Sequence, residues 1–525
     1  MLVTTHFRIG VIPLLLLVFV LNHNTMLVDC FIRVHTPTQQ FMDETNRTRI
    51  FHGVNVVYKI APFYPDLYNF NTNTSLTDKD LQNLRTWGFN VIRLYLSWEG
   101  TEPKRGQYDT NYLAILKGII RQCEKYGIMV ILDVHQDVMS DLFCGEGFPR
   151  WAVQYSTPEF PYPFNNIHLR INQTTHAPIV SDCLQHAFFQ YYLTTAASNA
   201  FQNFYDNVNG VRDAFADFWK YSANYFKDEP NVLGLEIINE PFAGDIYADL
   251  SLLLDQTGKA DRKNLLPLYQ QVYQSIRSVN KNHLVFFEQA VTDLLSSGFD
   301  ESPLGTQDLD KQVFSYHVYC FDVNSTGDPN NRFICQIGDD AVLGAKEYDV
   351  KRFKTGGFMT EFGALSNFTQ SEHEIEWITG LADEYLRSWT YWQFKYYNDV
   401  TTAASPPTIE SFYGPNGELQ SRKVKALSRT YAQAICGNPV GMTFDPLFSD
   451  FYLLFTYIKS LNCDSQPTVV YFNQEFYYPN GFDVRVMPQN ALFVKQSEMN
   501  YLQFLVRSEN VVDGQQIEIR ITRSN

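Results

Sequence analysis

Two glutamates in this 525-residue chain stand where carboxylate chemistry would want them. Glu240 lies in Ile237-Ile238-Asn239-Glu240-Pro241, and Glu361 in Met359-Thr360-Glu361-Phe362-Gly363. Each closes a short apolar run. Two carboxyls flanking a sugar ring can cleave a glycosidic bond. One, protonated, gives its hydrogen to the departing oxygen; the other, ionised, attacks the anomeric carbon. Like charges held close keep one proton between them, so identical side chains acquire different pKa values. Once the nucleophile is esterified its charge is gone, and the acid becomes a base toward water. Retention of configuration needs the two groups about 5–5.5 Å apart. Asn-Glu-Pro alone would arise by chance in about one chain in twenty of this length. A matching glutamate 121 residues later makes it informative. The bland alternative for either residue is a surface or salt-bridged carboxylate.

Other polar residues fall in strand-like spacing around this pair. Asp133, His135 and Asp137 alternate and so share one strand face. His317 and Tyr319 are also two apart, and Trp392 offers a flat ring to sugar C–H groups. Asp133 and Glu236 lie deeper and read as buried network residues. Glu288 is left open between a sugar contact and a solvent-facing side chain.

The elements that would position these groups alternate along the chain. Apolar, β-branched and aromatic runs cover 51–59, 90–98, 128–137, 232–241, 283–289, 313–319, 358–363 and 389–395. Amphipathic stretches such as YLAILKGIIRQCEKYG and LLPLYQQVYQSIRSVN separate most of them. Strand-helix alternation implies a parallel sheet, and eight repeats imply closure into a (β/α)8 barrel, whose catalytic groups sit at the C-terminal ends of the strands. Residues 138–210 interrupt the rhythm with a long aromatic, proline-rich insertion, which after the third strand would lie over the C-terminal face of a barrel. A last helix is expected over 421–435, stopped by Gly437-Asn438-Pro439. The short alternating strands that follow predict a small all-β sandwich. The expected organisation is a signal peptide over 1–28, an α/β catalytic barrel over 29–437 and a β-sandwich over 438–525.

The charge balance is 41 − 57 = −16, which argues against a nucleic-acid partner. The apolar run from Ile9 to Leu21 is too short to span a bilayer and suits the core of a secretory signal peptide. A secreted or lumenal destination is expected, whether extracellular, digestive or lysosomal. Sequons at Asn46, Asn73, Asn172, Asn324 and Asn367 agree with that route and are candidate glycosylation sites. In an oxidising compartment some of the eight cysteines should pair; sequence does not fix the connectivity, and the expectation adopted is pairing of neighbours, Cys144–Cys183, Cys320–Cys335 and Cys436–Cys463, with Cys123 a free core thiol. No Cys-x-x-Cys or His-x-x-x-His spacing occurs, so a structural zinc site has no support; no metal and no cofactor are expected.

These motifs resemble glycoside hydrolase family 5. The resemblance runs over roughly residues 50–435 and lies in Arg93 of NVIRLYLSWEG, His135 of LDVHQD, Asn239-Glu240-Pro241, His317 and Tyr319 of YHVY, Glu361 of TEFG and Trp392 of YWQF. INEPFAGD, GVNVVYK and SRTYAQAICG, followed by an all-β tail, are similar to the endoglycoceramidase branch. The resemblance implies a retaining hydrolase that cuts glycosphingolipids between oligosaccharide and ceramide. Glu240 would be acid/base and Glu361 nucleophile. Asn239 would meet the sugar 2-hydroxyl, Tyr319 would hydrogen-bond the nucleophile, and Trp392 would floor the cleavage subsite. Lys59, His135 and Asp137 would hold sugar hydroxyls, while Arg93 and His317 would support the carboxylates. The expected partners are the glycosphingolipid and, transiently, a membrane or micelle surface, met by a monomer. Three alternatives stay open: a family 5 glycanase acting on cellulose- or mannan-like polymer, an endoglycosidase for galactosylceramide-type lipids, and a non-catalytic carbohydrate-binding protein.

Overall fold

The computed structural model describes residues 31–156, 167, 169–255, 257–293, 295–403 and 409–524. The expected signal peptide and the middle of the aromatic insertion lie outside them. Eight parallel strands close into a barrel: His52–Val56, Val91–Tyr95, Met129–Asp133, Val232–Glu236, Leu284–Phe287, Gln312–Val318, Gly356–Phe362 and Ser388–Tyr391. The first pairs with the last, Trp389 opposite His52. Both faces of these strands are covered, which is why their sequences are nearly continuously apolar.

The intervening helices bury one stripe each. In Thr110–Lys125 the buried residues Leu113, Leu116, Ile120 and Cys123 recur at helical spacing. Asp109 caps that helix by accepting from the amides of Asn111 and Tyr112, and Gly127 ends it at φ 66°, a conformation a Cβ would disfavour.

Alternation decides what enters the barrel. Val91, Arg93 and Tyr95 face inward, while Ile92 and Leu94 join the core beneath the helices. Phe51, Val91, Ile131, Leu233, Val313 and Phe358 form a bottom layer. Gly53 lies just above it because a Cβ there would sit 2.0 Å from the Val91 carbonyl oxygen. Polar side chains fill the layers above. Two irregularities break strict alternation: the register shifts between Met359 and Glu361 in the seventh strand, and between the third and fourth strands near Gly234.

The C-terminal unit is two antiparallel sheets around a core that includes Leu453, Val470, Leu502, Phe504 and Ile519. Its limits differ from the expected 438–525. The helix expected over 421–435 stops at Leu427. Tyr431–Ile435 is instead a strand, paired with Thr468–Tyr471 on one side and with Thr48–Arg49 on the other. The supposed helix stop at Pro439 falls in Asn438–Asp445, an edge strand, where a missing N–H costs no ladder bond. The expected barrel limit at residue 29 differs too. Arg33–His35, Gln40–Met42 and Thr48–Arg49 extend the sandwich sheet, and Ile32, Val34 and Phe41 plug the bottom of the barrel.

The three expected disulfides form, and Cys123 is free and buried. Cys144–Cys183 ties down the long insertion, whose rings partly pack inward: Phe148 meets Trp98 at 5.0 Å and Tyr192 stacks on Phe242 at 5.3 Å. No described helix is long and apolar enough to cross a membrane.

Candidate active site

At the C-terminal mouth of the barrel the two glutamates face each other. A carboxylate oxygen of Glu240, one of Glu361 and a ring nitrogen of His317 lie within 4.8 Å of one another. The Glu361 side chain is 6% exposed and that of Glu240 19%, so Glu361 sits on the floor and Glu240 reaches toward solvent. The bulge in the seventh strand aims Glu361. Counting by twos from the inward Phe358 would turn Glu361 outward, and the extra residue turns it in.

The surroundings of the two carboxyls differ. Arg93, fully buried on the second strand, donates to Glu361 Oε1 at 2.5 Å, and Tyr319 donates its hydroxyl to Oε2 at 2.7 Å. Both carboxylate oxygens of Glu361 are thus taken up by donors. Arg93 also contacts Glu236 Oε2 at 2.6 Å, Asp133 Oδ2 at 3.0 Å, Asn239 Oδ1 at 2.8 Å and Asn55 Oδ1 at 3.1 Å. It therefore holds the barrel's buried acids as well as the candidate nucleophile. Among the described residues no lysine or arginine contacts Glu240. Burial, reinforced by the charge of Asp137, pushes its carboxyl up to about 7. His317 Nδ1 lies 2.8 Å from Glu240 Oε1, and burial pulls that imidazole down to about 4, leaving it neutral beside the acid. Glu240, His317 and Glu361 are close enough to suggest a metal triad. The oxygens of Glu361 are already engaged by Arg93 and Tyr319, so the donor set does not fit one.

A second polar cluster lies alongside. Lys59 Nζ is 2.7 Å from Asp137 Oδ2, 2.7 Å from Asp399 Oδ2 and 2.5 Å from Thr402 Oγ1. Burial would lower this ammonium, but Asp137 and Asp399 outweigh it and hold it well above its usual value. His135 lies 2.8 Å from Asp133 and 3.4 Å from Asp137; these contacts overcome burial and raise it to about 9. Trp392 stacks near His135, centroids 5.0 Å apart and planes 18° apart, with Lys59 Nζ 5.3 Å from its ring. Glu146, under Thr402, is pushed up to about 8 by burial and then by Asp399.

The sequence-predicted residues Lys59, Arg93, His135, Asp137, Asn239, Glu240, His317, Tyr319, Glu361 and Trp392 thus converge on one mouth. Asn239 is engaged at both ends of its amide, accepting from Arg93 and donating one hydrogen to the Gln136 carbonyl at 3.1 Å. Its second N–H stays available. Glu288 does not face solvent: it is buried, and its Oε2 accepts the backbone N–H of Glu240 at 2.8 Å. Asp399, Thr402, Glu146 and Gln136 escaped the sequence reading. The first two lie beyond the last barrel strand in a loop with no spacing signal. Alternation assigns Gln136 the opposite face from His135, so spacing does not single it out.

Residues 58–398 match the family model described as Cellulase (glycosyl hydrolase family 5), and residues 429–521 match the glycoside hydrolase family 5 C-terminal domain. The chain is 38% identical over 468 residues to an endoglycoceramidase of Cyanea nozakii, covering 89% of each, and 37% identical over 478 residues to one of Hydra vulgaris, covering 91% of this chain and 87% of that one. The chain belongs to the endoglycoceramidases of glycoside hydrolase family 5. Among solved structures, this family 5 chain shares the fold of endo-glycoceramidase II from Rhodococcus sp., with a TM-score of 0.70 at 21% identity over 92% of this chain and 99% of that one. That bacterial protein has been solved with ganglioside GM3 and as a lactosyl-enzyme intermediate. The match to the C-terminal model begins at residue 429, close to the strand Tyr431–Ile435.

Proposed function

We propose that this protein hydrolyses the β-glycosidic bond between oligosaccharide and ceramide in glycosphingolipids, with retention of configuration. The observation that carries the reading is the asymmetric pair at the barrel mouth. Glu361 is held by Arg93 and Tyr319, while Glu240 is raised to about 7 and so holds its proton on the acid side of that value. In the first step Glu361 attacks the anomeric carbon as Glu240 transfers its proton to the ceramide oxygen, which leaves as the alcohol. In the second, Glu240 takes a proton from water, whose oxygen displaces Glu361 from the sugar. The spacing, within 4.8 Å, leaves no room for a water between carboxyl and sugar and fits this double displacement. Lys59, His135, Asp137 and Trp392 form the sugar-holding wall. The names of the relatives in Cyanea and Hydra favour ceramide-linked glycans over cellulose- or mannan-like polymers. Incubation with a panel of glycosphingolipids and soluble glucans, with products read by mass, tests this. Free oligosaccharide plus ceramide is expected, and release of sugar from the glucans alone refutes it.

The lipid product accounts for an otherwise costly surface. Exposed Leu250, Leu254, Leu295 and Phe321 lie on the loops after the fourth, fifth and sixth strands, and Phe333 and Ile337 on the first turns of Arg332–Phe353. These connections leave the C-terminal ends of three consecutive barrel strands. Such an apolar rim suits transient contact with a membrane or micelle. Flotation with neutral vesicles, lost on Phe321→Ser/Phe333→Ser, checks it. A secreted or lumenal, glycosylated monomer is part of the proposal. Asn46, Asn73, Asn172 and Asn324 are exposed and Asn367 half-buried, which supports modification of at least the first four. Endoglycosidase treatment of the secreted protein should lower its mass, and light scattering should give one chain.

A further inference from the structure

The peptide that carries Glu240 is gripped from both neighbouring strands. Glu240 has φ 38°, in the left-handed region that residues with a Cβ rarely enter, so something must hold it there. On one side Gln136 Nε2 donates to the carbonyl oxygens of Asn239 and Glu240, each at 2.9 Å. Gln136 is itself fixed by the Met139 amide, which donates to its Oε1 at 2.8 Å. On the other side Glu288 Oε2 accepts the Glu240 N–H at 2.8 Å, and the Tyr269 hydroxyl donates to the Glu288 carbonyl at 2.6 Å. Both polar backbone atoms of Glu240 are therefore bound by two buried side chains. Glu361 has separate holders, Arg93 and Tyr319.

We propose that Gln136 and Glu288 are positioning residues that clamp the Asn239–Glu240 peptide and thereby aim the Glu240 carboxyl at the leaving-group oxygen. The inference rests on the two-glutamate reading above. It separates two kinds of failure in this site. Loosening the clamp impairs proton delivery, whereas nucleophilic attack by Glu361 continues. A leaving group that departs without a proton should then hide the damage, and one that needs the proton should reveal it. A merely structural role would slow both alike.

The test is kcat/KM on 2,4-dinitrophenyl and phenyl β-lactosides for wild type, Glu288→Leu, Gln136→Leu and Glu288→Gln. The two leucine variants are expected to lose about tenfold or more on the phenyl glycoside but less than about threefold on the dinitrophenyl one, a part of the ~10²–10⁴-fold that general acid catalysis supplies. Glu288→Gln keeps an oxygen acceptor for the Glu240 N–H and should stay within about threefold of wild type on both. Equal losses on the two substrates, or none, overturn the clamp. If the leucine variants do not fold, Gln136→Met, which removes the Nε2 donor at nearly the same size, takes their place: the same phenyl-selective loss is expected, and equal losses or none overturn the clamp. Wild-type turnover of the dinitrophenyl glycoside separates the two claims. If it is present without a leaving-group effect, only the clamp fails. If it is absent, the two-glutamate reading fails and the clamp falls with it.

Discussion

Replacing Glu240 by glutamine should make the protein more stable, and only above acidic pH. Its carboxyl moves from an ordinary 4.5 to about 7 in the folded chain, chiefly through burial and then the charge of Asp137. At about 1.4 kcal/mol per unit, that displacement amounts to about 3 kcal/mol. The sign follows from proton binding. Between the two values the folded state holds the proton and the unfolded state does not, so wild-type stability falls as pH rises from about 4.5 to 7 and is level beyond. Glu240→Gln has nothing to titrate there. Its advantage over wild type should therefore grow across that window by up to about 3 kcal/mol and then stay constant. Urea unfolding of both proteins at pH 4, 5.5 and 8 measures it. The same group should set the alkaline limb of wild-type turnover: about nine-tenths protonated at pH 6 and about one-tenth at pH 8, giving a roughly tenfold fall. A stability difference that is flat between pH 4 and 8 would refute the reasoning, because Glu240 would then titrate as an ordinary surface carboxyl.

Three further outcomes are expected. Arg93→Met leaves Glu361, Glu236 and Asp133 buried without their cation; a loss of about 3–5 kcal/mol and of nearly all turnover should follow, and a wild-type melting curve would contradict it. Tyr319→Phe removes a charge-assisted hydrogen bond to Glu361 worth about 1.5–3 kcal/mol. It should lower kcat by about ten- to a hundredfold with a smaller change in KM, whereas kcat within twofold of wild type would count against that contact. Glu240→Ala should regain activity with azide on substrates with good leaving groups, giving a glycosyl azide of retained configuration by proton NMR; an inverted product argues against Glu240 as acid/base.

Much of the site was legible because barrel strands announce themselves as apolar runs and their C-terminal ends carry the polar exceptions. Lys59, His135, Asp137, His317 and Tyr319 meet through pairings that the strand order dictates. Regular spacing alone misleads where the local backbone departs from it. Glu361 points inward only because of the bulge beside Met359; strict alternation from Phe358 aims it at the helices. Gln136 reaches the Glu240 peptide because the strand ends at Asp133, after which alternation no longer applies. Residues 431–435 read as a helix by continuity with 421–427, and only their partners at 48–49 and 468–471 make them a strand. The plug formed by Ile32, Val34 and Phe41 rests on contacts hundreds of residues away, which no local pattern encodes.

The account stands most directly on which atom the sugar visits. Brief reaction with a 2-deoxy-2-fluoro lactosyl fluoride, digestion and mass spectrometry should find one added 2-deoxy-2-fluorolactosyl group on the peptide containing Glu361, absent in Glu361→Gln. A label on any other residue, or turnover of natural substrate with no label at all and an inverted product, would contradict it.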